Sequence, residues 1–111
     1  MVEARERKAA FLSEVIRVLA LPDSAVVNGR FEALEDRTDF SGIASLVTVR
    51  AVRVDSSLLS VSVHLLSRAG GRLFLLGRGE AAPQSGLSRF RSIETVELPV
   101  GSGSRLIIAT V

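Results

Sequence analysis

The fold turns on Leu46 to Glu80, LVTVRAVRVDSSLLSVSVHLLSRAGGRLFLLGRGE. Within it Leu59, Val61, Val63 and Leu65 alternate with Ser60, Ser62 and His64. Period two is the signature of a half-buried strand, so the pattern predicts a strand over 58–68. The preceding run, Leu46 to Val54, is rich in β-branched residues and reads as a second strand. Asp55-Ser56-Ser57 reads as a turn, because short polar side chains bond their own backbone. Ala69-Gly70-Gly71 supplies the positive φ of a tight hairpin. Arg72 to Gly79 then returns through Leu73-Phe74-Leu75-Leu76. The stretch predicts a three-stranded antiparallel meander.

Outward from it, the N-terminal side offers one helix. Phe11, Leu12, Val15, Val18 and Leu19 recur at three- and four-residue spacing, which predicts an amphipathic helix over 3–21. Glu3 and Arg7 are placed as an i,i+4 pair, and Pro22 as the stop. Ala25 to Leu34 reads as a strand that Gly29 weakens. On the C-terminal side, Glu80 to Ser88 reads as a loop, Ser92 to Leu98 as a strand and Pro99 to Ser104 as a turn. Arg105 to Val111 is apolar on both faces, so it belongs inside a sheet or beneath a partner.

The expected architecture is α+β: an N-terminal helix packed on a strongly twisted antiparallel β-meander of five or six strands, open or partly closed. Residues 1–111 are read as a single domain, with the helix over 3–21 and the sheet over 25–111. Helix-then-meander resembles the outline of cystatin-like and hotdog-type domains; the resemblance is one of outline and implies no activity.

Composition bounds the chemistry. With no cysteine, disulfides, thiolate metal sites and cysteine nucleophiles are excluded. No apolar run approaches the ~18 residues of a membrane span. The N-terminus is charged and lacks the apolar core of a signal peptide, so the default location is cytoplasmic. The formal charge is only +2, carried by thirteen Arg and one Lys against twelve acidic residues. That is mild steering rather than a nucleic-acid footprint.

Candidate chemistry is sparse. His64 is the one histidine, an exposed polar residue or a pocket group, and alone it cannot build a histidine-based metal site. Glu35, Asp36 and Asp39 read as a solvated acidic turn rather than a calcium loop. The glycine pairs fit strand connections, not phosphate cradles. Serine catalysis lacks its Gly-x-Ser-x-Gly motif. No catalytic residue, cofactor or metal is expected. Arg68, Arg72, Arg78, Arg89 and Arg91, with Arg50 and Arg53, form a candidate anion-binding set.

Hydrophobic residues make up 47% of the chain, more than a helix on a one-sided sheet requires. The leading expectation is therefore a non-catalytic structural or adaptor domain. It would self-associate or bind a protein partner through Phe74, Leu76, Leu106, Ile107, Ile108 and Val111. The alternative is a small-molecule-binding or enzymatic domain with an aliphatic pocket between helix and sheet. The third is an arginine surface for nucleic acid or another polyanion, with nucleic acid and membrane set aside as main partners.

Overall fold

The computed structural model describes residues 1–78, 84–99 and 103–111. Two compact units emerge, Met1–Leu34 and Glu35–Val111. The class is α+β as expected, with helices packed on a sheet.

In the first unit, strand β1 (Val2–Glu3) leads into helix α1 (Glu6–Val18), and β1 pairs in parallel with β2 (Val27–Asn28). Glu3 precedes the helix instead of forming the expected pair with Arg7, and its Oε1 accepts from the Arg5 N–H at 2.8 Å. The helix ends before Pro22 acts. Leu21 N–H donates to Ile16 and Ala20 N–H to Arg17, the paired bonds of a Schellman turn. That turn puts Ala20 at φ +48, the left-handed region that favours glycine. Ala20→Gly is expected to stabilise the protein by about 1 kcal/mol, read as a melting temperature a few degrees higher. The strand expected over 25–34 shrinks to Val27–Asn28, and Phe31–Leu34 winds into a 3₁₀ turn.

The second unit corrects the meander. A 3₁₀ turn, Thr38–Phe40, leads to strand β3 (Leu46–Arg50). Ser56–Leu65 is not a strand but helix α2. The supposed turn at Asp55 is its N-cap: Asp55 Oδ1 accepts from Leu58 N–H at 2.9 Å. The buried face of α2 is Leu58, Leu59, Val61, Ser62 and Leu65, a helical stripe in which one serine passes for a polar alternation. Ser62 is fully buried because its Oγ donates back to the Leu58 carbonyl at 2.7 Å.

With a helix between them, β3 and β4 (Arg72–Arg78) run parallel, in register from Leu46 against Arg72 to Arg50 against Leu76. Gly70-Gly71 closes the helix-to-strand turn rather than a hairpin. Gly70 sits at φ +95, and a Cβ on Gly71 would lie 2.8 Å from the Ser67 carbonyl.

A one-turn helix α3 (Gln84–Leu87) precedes β5 (Ser92–Glu97), which pairs antiparallel with β6 (Ser104–Thr110). The sheet order is β3-β4-β6-β5. The doubly apolar β6 is thus internal, as its composition requires. The first part of the loop expected over 80–88, Glu80 to Pro83, and Val100 to Ser102 of the expected turn lie outside the described residues, while Gln84–Leu87 of that loop is helix α3.

Alternate positions face opposite sides of this sheet. Leu73, Leu75 and Ala109 are buried, and with Leu59, Val61, Leu65, Leu66, Leu87 and Phe90 they make the core of the unit. No helix among the described residues is long and apolar enough to cross a membrane.

Candidate functional site

In an open sheet with parallel strands, ligands sit in the crevice outside the carboxyl ends of those strands. Here β3 and β4 both deliver their carboxyl ends to one edge. A cleft of about 640 Å³ opens there, lined by Arg50, Ala51, Leu76, Gly77, Leu98, Pro99 and Ser104. Each wall has a local cause. Arg50 and Gly77 arrive on the parallel strands, and Leu98 and Ser104 on the β5–β6 pair, held by Leu98 N–H donating to Ser104 O at 3.1 Å.

Two features set this edge apart. Ala51 follows β3 with φ +58, a left-handed backbone in a residue other than glycine. Such strain costs on the order of 1–2 kcal/mol and clusters where function over-determines the chain. Gly77 stands in the strand with nothing within 4 Å of where a Cβ would be, so the cleft is open beside it. Among the described residues Arg50 makes no ion pair; those seen are Arg17 with Glu14 and Arg37 with Asp39. The cleft therefore offers a guanidinium between apolar walls, suited to an anionic ligand with a flat apolar part.

The arginine set from the sequence divides between two edges. Arg78 ends β4 on the carboxyl side, where Arg50 ends β3. Arg72 begins β4 at the opposite edge, six residues away, or roughly 20 Å of strand. Arg91 joins Arg72 there: both flank Thr110, which pairs with Arg72 in register and accepts from Arg91 N–H at 2.8 Å. Arg68 lies in the loop leading to that edge. Arg89 reaches α2 instead, its Nη1 donating to Ser60 Oγ at 3.0 Å, while Ser60 Oγ donates to Glu35 Oε1 at 2.6 Å.

His64 does not line the cleft. It lies half-buried on α2 with Nε2 3.0 Å from the Arg37 carbonyl. Because a carbonyl only accepts, that nitrogen carries the proton. In the same loop Arg37 clamps Asp39 with two hydrogen bonds, 2.8 and 2.6 Å, and these hold the Asp39 carboxyl below its ordinary range. No group of three His, Asp or Glu among the described residues has metal-binding geometry.

The apolar interface set also divides. Phe74 pairs with Ile108 and Leu76 with Leu106, so these four half-buried residues share the sheet face opposite the core. Ile107 faces the other way, and Val111 closes the end of the sheet through its N–H to Gly71 O at 3.0 Å. Of the cleft residues, Arg50 belongs to the candidate anion-binding arginines read from the sequence, whereas Ala51 has no signal there, because a positive φ is invisible in sequence.

The family model described as GidB, rRNA small subunit methyltransferase G, matches residues 1–99. Curated relatives carry the name ribosomal RNA small subunit methyltransferase G. That of Xanthomonas campestris pv. campestris (strain B100) is 28% identical over 111 residues, covering 97% of this chain and 50% of the relative. That of Paracoccus denitrificans (strain Pd 1222) is 39% identical over 85 residues, covering 77% and 42%. Among solved structures, the putative methyltransferase yhhF from Escherichia coli matches with a TM-score of 0.68 at 9% identity, over 98% of this chain and 59% of that one. At that identity the likeness shows the fold alone. The chain spans about half the length of the curated relatives it matches. These matches overturn the expectation of a non-catalytic adaptor that works by self-association or protein partnership, and the setting aside of nucleic acid. The enzymatic alternative stands closer to them.

Proposed function

The chain belongs to the GidB family of rRNA small subunit methyltransferases G, and from that premise we propose that it takes part in methylating small-subunit ribosomal RNA, with the carboxyl-edge cleft as an RNA-contacting site. The observation that carries the cleft's role is Arg50, without an ion pair among the described residues, at the carboxyl ends of two parallel strands, beside a strained Ala51. Arg50 is assigned to a phosphate or base edge of the RNA, where a guanidinium forms two parallel hydrogen bonds. Leu76, Leu98 and Pro99 are assigned to the face of a base drawn out of its stack, as enzymes that modify bases require.

A methyl donor must supply the transferred group. The β3-to-α2 connection is not a glycine-rich anion cradle: Ala51 to Asp55 contains no glycine, and Asp55 already caps the amide at the helix start. With ribosomal RNA as substrate and bacterial relatives, the protein belongs in the cytoplasm.

The test is a titration of fluorescently labelled small-subunit rRNA fragments with the purified chain at two salt concentrations. Saturable binding that weakens as salt rises is expected, because each guanidinium–phosphate contact releases counterions. Absence of RNA binding at low salt contradicts the reading.

A further inference from the structure

We propose that the amino edge of the sheet is a second RNA-contacting surface, where Arg68, Arg72 and Arg91 hold phosphates of the RNA backbone. The inference rests on the reading of this chain as an RNA-binding protein, and on a part of the molecule separate from the cleft. Three segments meet at that edge. Arg72 opens β4 opposite Thr110, and its N–H donates to the Ser45 carbonyl at 3.0 Å. Ser92 opens β5 opposite the same Thr110, whose carbonyl accepts from Arg91 N–H at 2.8 Å. Only β6 separates β4 from β5, so the backbones at Arg72 and Ser92 stand two strand spacings apart, roughly 10 Å. Arg68 belongs to the turn closed by Gly71 N–H onto the Ser67 carbonyl at 2.8 Å, and the Gly71 carbonyl accepts from Val111 N–H at 3.0 Å.

The chemistry gathered there is of one kind. Residues 44–45, 67–72, 91–92 and 110–111 supply these three arginines, with serines and a threonine, and no aspartate or glutamate. The acidic residues of β5, Glu94 and Glu97, lie further along, opposite Ile108 and Arg105. All three arginines are exposed, and none takes part in an ion pair among the described residues. The edge thus carries three positive charges, where the whole chain nets only +2. Arginine with serine and threonine is the set that contacts phosphate and sugar oxygens. One strand of a double helix presents about one charge per 3.4 Å of its axis, so a single RNA segment can meet all three guanidinium groups. Arg89 stands apart from the set, because its guanidinium donates to Ser60 on α2. Phosphates carry no sequence, so this edge supplies affinity and orientation and leaves base discrimination to the cleft. The two ends of β4 are roughly 20 Å apart, and an RNA helix of about ten base pairs more than spans that distance.

The experiment measures binding of the full chain to a small-subunit rRNA helix of about twenty base pairs, by fluorescence anisotropy over a salt series. Phosphate-ethylation interference identifies the phosphates that the protein needs. Arg68→Ala, Arg72→Ala and Arg91→Ala combined are expected to weaken binding at low salt by on the order of tenfold to a hundredfold and to lower the salt slope by about two to three. One group of interfering phosphates is expected to disappear with them. An unrelated RNA helix of equal length is expected to lose as much, because its phosphates are the same. Lysine at the three positions is expected to keep the slope, since an ammonium also serves a phosphate as a point charge. Arg89→Ala, which removes an equal charge two residues from Arg91, is expected to leave the slope unchanged. Should the triple alanine variant fail to fold, Arg72→Ala and Arg91→Ala decide singly, each lowering the slope by about one. Parent-like affinity and slope in the triple variant overturn the proposal. A loss on Arg89→Ala equal to that on Arg72→Ala also overturns it, because net charge then accounts for the effect. In either case, weaker binding by Arg50→Ala leaves the reading of the cleft standing. A parent chain that binds no RNA overturns both.

Discussion

Replacing Leu59 by alanine lowers the unfolding free energy by about 3–4 kcal/mol, measured by urea denaturation. Leu59 has no exposed surface and occupies the centre of the α2 stripe. Its side chain also stands where α3 approaches closest. A Cβ built on Gly86 would collide with Leu59, so that glycine leaves just the room the leucine fills. Truncation therefore removes apolar contact on two sides and leaves a cavity that a one-turn helix on one side and a sheet on the other cannot collapse to fill. A contrasting substitution is Ile43→Ala. Ile43 is 63% exposed, and its loss is expected to stay within roughly 0.5 kcal/mol. Equal effects of the two would mean that the core does not lie between α2 and the sheet.

Arg50→Ala weakens binding of small-subunit rRNA by about tenfold or more and lowers the salt slope of the binding constant by about one. The two effects belong together. A guanidinium on a phosphate contributes both attraction and one released counterion, whereas a residue that only shapes the cleft would lower affinity and leave the slope unchanged. Arg50 is exposed and makes no ion pair among the described residues, so its removal leaves no orphaned carboxylate. The melting temperature should therefore barely move. Arg72→Ala is the matched comparison, an exposed arginine at the opposite edge of the same sheet. If Arg72→Ala weakens binding and Arg50→Ala does not, the RNA lies along the amino edge instead.

How far the sequence carries the fold depends on which signals compete. The segments around β4 and β6 are legible because their apolar runs have strand length and are bounded by glycine or polar turns, whereas β5 is read from the alternation of Ile93, Thr95 and their polar neighbours. Helix α1 is legible from its stripe, though Phe11, Val18 and Leu19 of that stripe remain exposed at 66%, 63% and 61%. Residues 58–65 mislead because Ser62 reads as an outward residue. Its hydroxyl satisfies itself on the preceding turn, so it can be buried, and the true period is that of Leu58, Val61, Ser62 and Leu65. Once that helix is missed, a parallel pair becomes an antiparallel meander, and the carboxyl edge where the cleft lies is lost with it. Asp55 illustrates the same ambiguity: a short carboxylate before serines serves a turn or an N-cap equally well, and only the residues beyond it decide. The arginines were visible as a set, but their division between two edges follows from register, which the sequence alone leaves open.

The central claim is that RNA contacts this chain at the carboxyl edge of β3 and β4. It is tested most directly by ultraviolet cross-linking of the chain to a small-subunit rRNA fragment, followed by peptide mapping. The account predicts cross-links in the segments that line the cleft, at Arg50-Ala51 and at Leu98-Pro99. Cross-links confined to Arg68 to Arg72 and Arg89 to Arg91, at the far edge and the face of α2, would contradict it.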